Sequence, residues 1–203
     1  MRTYFLQYEE DTSINYLYLF LLHKVAVLDK ATRLYNTVRY NNLDELTERL
    51  NSKYKEIVSN SKKAVISKST LSRVLNSDKE KKYFAYDSIN KVITLQNNFK
   101  NKATNGKAKF IILTDREIDL LLRENNDLLT KYYLFMKYSC GFSGKNKADF
   151  TANQFFEACN YSKKAGNYKS LLCDFNNLLV KEKLISISKF RFDGHERNSY
   201  SIL

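Results

Sequence analysis

Two histidines, three cysteines and the pair Gly144-Lys145 are the residues from which metal, redox or phosphate chemistry would have to be built in this 203-residue chain. None has the spacing such chemistry requires. His23 and His195 lie near opposite ends of the sequence. They do not form the close histidine pair that holds a metal beside the nucleophilic tyrosine of a DNA-nicking enzyme. Cys140, Cys159 and Cys173 form no close pair and no zinc-type spacing, and an odd number in apolar surroundings reads as buried, reduced thiols. That places the chain in a cytoplasmic setting. Gly144-Lys145 resembles the end of a phosphate loop, but the positions that would need Gly and Ser or Thr are Ser139 and Asn146. Asp115, Glu117 and Asp119 open a helix, where the dipole favours acids, and no partner cluster makes them a metal site. The expectation is a non-enzymatic protein with no cofactor, no metal and no small-molecule substrate.

What remains is positive charge. The net charge is +12 and the isoelectric point about 9.4. The excess is not spread evenly. Residues 61–110 hold twelve basic against three acidic side chains, and residues 160–203 hold eight against four. Residues 1–60 are neutral, and 111–159 carry one net negative charge. Division into two basic blocks points to a polyanionic partner, nucleic acid before membrane. In the first block Lys68, Ser69, Ser72 and Arg73 fall on one helical face, where short hydroxyls and an arginine reach phosphates and base edges. A bidentate arginine on guanine is worth about 1–3 kcal/mol of discrimination. In the second, Lys163, Lys164, Asn167, Tyr168 and Lys169 form the equivalent face, with Tyr168 also suited to the core. Around two hairpins, Lys79, Lys81, Lys82 and Lys91, then Lys189, Arg191, His195 and Arg197, suit phosphate contacts, which position without specifying. The competing reading for each set is a solvated surface.

The elements that must hold these residues follow from capping signals and periodicity. Thr3 to Tyr8 reads as a strand, and Ser13 as the cap of a helix over Ile14 to Lys30. That apolar run is short and contains His23 and Lys24, so it is a core helix and not a membrane span. The N-terminus lacks the basic-then-apolar pattern of a secretory signal. Thr37 to Tyr40 reads as a short strand, Asn42 caps a helix through Leu50, and Lys53 to Val58 adds a further turn or two. Asn60 to Lys63 reads as a loop. Ser67 caps a helix from Lys68 to Ser77 with Leu71, Val74 and Leu75 inward. Lys82 to Tyr86 and Lys91 to Leu95 form a hairpin. Residues 97–108 are the linker. Then come a strand from Lys109 to Thr114, helices from Asp115 and from Asp127, and a loop from Gly141 to Lys147. Thr151 caps the next helix, with Phe155, Phe156 and Cys159 inward. The turn Asn160-Tyr161 leads to a long helix from Ser162 to Lys183. Leu184 to Phe192 and Ser199 to Leu203 pair through the Asp193-Gly194 turn.

The two halves share this order. Ile14 to Ala26 echoes Thr130 to Gly141, and Ile66 to Leu75 sits where Tyr161 to Leu172 sits. A Ser-capped polar helix running into a basic hairpin resembles the recognition helix and wing of winged-helix proteins. The segment Ser67 to Arg73 and the run from Leu178-Leu179 through Leu184-Ile185 to Asp193-Gly194 carry that resemblance. About fifteen residues separate the Leu43 to Leu50 helix from Ser67, and Lys183 stands where the family usually has glycine. The resemblance implies an α+β, mostly helical fold of two winged helix-turn-helix modules in tandem, 1–96 and 109–203, each with a β-hairpin wing. It implies double-stranded DNA as partner. Tandem modules of this kind resemble plasmid and phage replication initiators or replisome organisers. A transcriptional regulator of a mobile element and a protein-interaction adaptor are the alternatives. Further partners would be a second copy of the chain or another replication or mobile-element protein, and no membrane.

Overall fold

The computed structural model describes residues 3–7, 14–30, 34–58, 66–96, 110–142, 146–160 and 168–203, with backbone alone for 3–7, 34, 110, 142 and 169. Among these the fold is α+β, with seven α-helices and small sheets. The expected Ser13 cap, Asn60 to Lys63 loop, 97–108 linker and Ser162 cap lie outside the described residues. Strand β1 (Thr3–Gln7) pairs with β6 (Phe110–Thr114) in a two-stranded sheet. The remaining elements fall into two compact units.

The first unit is built around α1 (Tyr16–Val25), capped by Asn15, whose side chain accepts from the Tyr18 amide. Seven of its ten residues are buried, so it is a central helix enclosed on most sides. It does not run to Lys30. Ala26 turns extended, and Val27–Asp29 becomes strand β2, paired antiparallel with β3 (Leu34–Arg39). A segment beside a free strand edge gains ladder hydrogen bonds there, and β-branched Val27 suits the strand better than one more helical turn. Helix α2 (Leu43–Ile57) starts at Asn42 as expected and runs past Leu50 without a break, because Leu46, Leu50 and Tyr54 extend one buried stripe. Helix α3 (Lys68–Leu75) follows, then a 3-10 turn (Glu80–Lys82) and a hairpin of β4 (Phe84–Asp87) and β5 (Val92–Leu95). The sheet order is β2-β3-β5-β4, so β5 is covered on both sides.

Helix α4 (Asp115–Glu124) packs on α1 and α2. Residues 112–126 therefore group with the first unit, whereas the sequence divides the chain at 97–108. Helix α4 buries Ile118, Leu120, Leu121 and Leu122, and Lys24 Nζ lies 2.7 Å from Asp115 Oδ1 and 2.7 Å from Asp119 Oδ1, with the lysine side chain only 8% exposed.

The second unit has α5 (Asp127–Phe142), β7 (Lys147–Asp149), α6 (Ala152–Ala158), α7 (Tyr168–Lys181), β8 (Ile185–Phe192) and β9 (His195–Ile202). Its sheet order is β7-β9-β8. Thr151 and Gln154 form a reciprocal capping box at α6. An aromatic cluster fills the core. Tyr132 meets Phe155 edge-on at 5.0 Å, and Phe150 stacks on Tyr200 at 4.5 Å. Of the cysteines, Cys140 is buried, its thiol pushed up to about 11 by burial. Cys159 is half-buried and Cys173 exposed, which corrects the expectation that all three are sheltered.

Both units contain one order, helix, strand, helix, helix, hairpin, to which the first adds β2, the 3-10 turn and α4. In each, the returning hairpin strand pairs with the strand that precedes the helix pair, β5 with β3 and β9 with β7.

Candidate nucleic-acid interface

In the first unit α3 is placed by α2. The Asn51 side chain grips the backbone of Ile66 twice, donating to its carbonyl at 2.9 Å and accepting from its amide at 3.1 Å. Ser67 then caps α3, its hydroxyl accepting from the Thr70 amide at 3.2 Å. Leu71, Val74 and Leu75 are buried, which turns Lys68, Ser69, Arg73 and Asn76 outward and leaves Ser72 half-buried. This is the face expected from the sequence. Asn51 was not among the expected residues, because a two-point backbone clamp fifteen positions away leaves no local pattern.

The charges on this face are partly spoken for. Lys68 pairs with Asp44 of α2 at 2.7 Å, and both side chains are largely exposed. Lys81 pairs with Asp78. Exposed pairs of this kind are worth about 0–1 kcal/mol, so a phosphate competes with them readily. Arg73 is exposed and has no ion-pair partner among the described residues. Lys79, Lys81 and Lys82 are exposed but do not sit on the hairpin. They lie in the turn and 3-10 segment between α3 and β4, where Glu80 is buried and its carbonyl accepts from the Tyr83 amide at 2.8 Å. Of the expected wing lysines in this unit, Lys91 alone is on the hairpin. It is exposed with φ +54°, next to a turn in which Asp87 accepts from the Ile89 and Asn90 amides at 3.0 and 2.9 Å. Those bonds from Asn90 and Ile89 hold the Asp87 carboxyl below its ordinary range. Ile89, at the tip, is 87% exposed.

In the second unit Lys163, Lys164 and Asn167 lie outside the described residues. Tyr168 begins α7, half-buried, with its ring edge-on to Phe156 at 5.1 Å, so it serves the core at least in part. Lys169 follows it in the helix. Leu172, Phe175 and Leu179 face inward, and Tyr132 donates its hydroxyl proton to Asn176 Oδ1 at 2.9 Å. Burial holds that phenol protonated far above its ordinary range. The exposed side chains of α7 include Ser170, Cys173, Asp174, Asn177 and Lys181, a polar but hardly basic set.

The helix closes with Lys183 at φ +54°. Its amide donates to Val180, and the Leu184 amide donates to Leu179 at 3.0 Å. This is the glycine-type C-cap geometry with lysine in the glycine place. The chain then enters the hairpin, which turns through Asp193 and Gly194, both at positive φ. Lys189, Arg191, His195 and Arg197 are all exposed on it. Alternation divides them: Lys189 and Arg191 continue the row of Ile185 and Ile187, while Arg197 and His195 share the opposite face with Phe190 and Phe192.

The acids weighed for catalysis have structural roles. Glu117 closes a capping box with Thr114, and Asp115 and Asp119 hold Lys24. The loop with Gly144-Lys145 lies outside the described residues. Among the described residues no group of His, Cys, Asp and Glu side chains could hold a metal, and no helix is long and apolar enough to cross a membrane. A scan of family models and searches of curated proteins and of solved structures return no match for this chain.

Proposed function

We propose that this chain binds double-stranded DNA through two winged-helix modules. The observation that carries the reading is the repeated order of helix, strand, helix, helix and hairpin, with the returning hairpin strand central in each sheet. On this reading α3 and α7 are the recognition helices and the two hairpins are wings. Ser69, Ser72 and Arg73 read from α3, while Lys68, Lys79, Lys81, Lys82 and Lys91 neutralise phosphates nearby. In the second module Lys163, Lys164 and Asn167 precede α7, Lys169 lies in its first turn, and Lys189, Arg191 and Arg197 act from the wing. Two modules in one chain suit a repeated site, which favours initiation or organisation of plasmid or phage replication over regulation of a mobile element's transcription. Directly repeated target sites would support replication, and a palindrome would support regulation.

A gel shift with generic duplex at low salt tests the reading. Retardation is expected, and Arg73→Glu combined with Arg191→Glu weakens it by at least about tenfold as one base-reading contact and one wing contact to phosphate are lost. Unchanged affinity in the folded double variant would remove these faces from the interface. One observation favours a second reading, a protein-interaction adaptor: Lys68, Lys81 and Lys189 are already paired with Asp44, Asp78 and Glu196, as on a surface charged for solubility. Absence of any shift at low salt would support it.

A further inference from the structure

The strand β7 covers β9 only at Ser199–Ser201. Beyond it, Lys189–Phe192 and His195–Asn198 pair only with each other among the described residues. At about 3.4 Å per residue this two-stranded ribbon reaches roughly 13 Å past the sheet. The register sets Phe190 opposite Arg197 and Phe192 opposite His195, so aromatic and basic side chains share one face. The carboxylates are elsewhere: Glu196 is on the other face, bonded to Lys189 at 2.8 Å, and Asp193 is in the turn. Phe192 is 56% exposed, and the Arg197 guanidinium sits 4.7 Å from the centre of its ring.

We propose that this ribbon tip stacks on unpaired bases of DNA, at a melted or distorted stretch beside duplex, with Arg197 at the flanking phosphate. The proposal rests on the DNA-binding reading above and narrows its substrate. Every base offers a π face to an aromatic ring, and an arginine beside that ring adds both stacking and charge. The minor groove of paired DNA, about 6 Å wide, admits such a tip only as a wedge that unstacks the bases. A protein partner's apolar pocket fits less well, because it would bury the Arg197 charge on a face with no carboxylate.

The test is fluorescence anisotropy of the full chain against a fully paired duplex and against the same duplex with a short central bubble of mismatched bases. The bubble is expected to bind about tenfold more tightly, the scale of one base-aromatic stack. Phe192→Ala brings the ratio of the two affinities to about one, and Phe192→Trp preserves it. Equal wild-type affinities, a ratio unmoved by Phe192→Ala, or a ratio lost in the Trp variant would each overturn the proposal while leaving duplex binding intact. Failure to bind either probe would instead overturn the DNA-binding reading on which it stands.

Discussion

The hairpins of the two units occupy the same place in the same strand order and meet different surroundings. In the first, β5 is flanked by β3 from Val92 to Thr94, and its Ile93 and Leu95 are buried. Four-residue strands leave little beyond the Asp87 to Lys91 turn. In the second, the strands are eight residues long and the third strand covers only three positions of β9. Two-stranded ribbons are marginal by themselves in water. This one is held by its Asp-Gly turn, the Lys189–Glu196 pair and the Arg197–Phe192 contact rather than by a core. The third strand covers three positions in each unit, so the length of the hairpin strands decides which hairpin is part of the core and which stands clear of it.

That difference is broken most severely by deletion. Ser188 pairs with Ser199, so replacing residues 189–198 with Asn-Gly joins them through a two-residue turn. The shortened chain is expected to keep its fold by circular dichroism and to lose about a hundredfold in duplex affinity as several cations go at once. The contrast also extends to how each unit is stapled. Lys24→Met takes the lysine charge away from Asp115 and Asp119 and should destabilise the first unit by about 2–3 kcal/mol, the low end for a buried pair because the carboxylates are about one-third exposed. Hydrogen exchange should then rise in α1 and α4 and not in α5 to β9.

The local features of both units were legible in the sequence because caps and turns are short-range chemistry. Ser67, Asn42 and Thr151 cap helices as expected. The spacing of Leu71, Val74 and Leu75 gives the buried face of α3, and Asp193-Gly194 makes its turn. What was not legible depends on partners far away in the chain. Val27–Asp29 reads as helix until β3 is there to pair with it. The strand Lys147–Asp149 is too short to signal itself without β9. The association of α4 with the first unit includes a lysine ninety-one positions from its aspartate. Lys79, Lys81 and Lys82 read as wing residues because nothing local announces the 3-10 turn at Glu80–Lys82 that precedes β4.

Smaller changes sharpen the comparison. Lys183→Gly removes a left-handed side chain from the end of α7 and should raise the stability of the second unit by about 1 kcal/mol, read as a higher denaturation midpoint. The smallest effect is at the first hairpin. The Asp87 carboxyl is lowered by its bonds from Asn90 and Ile89, so its contribution is fully present above the ordinary carboxylate range. It is lost as pH falls through the depressed folded value. The Ile89 and Asn90 amide resonances should shift on that acidification, and Asp87→Asn should abolish the shift.

The central claim is that two cationic faces grip a phosphate backbone, and the salt dependence of duplex affinity tests it most directly. With at least five phosphates neutralised, the logarithm of the association constant should fall against the logarithm of salt concentration with a slope of about −4 or steeper. A slope near zero, or no binding at the lowest salt, would contradict it.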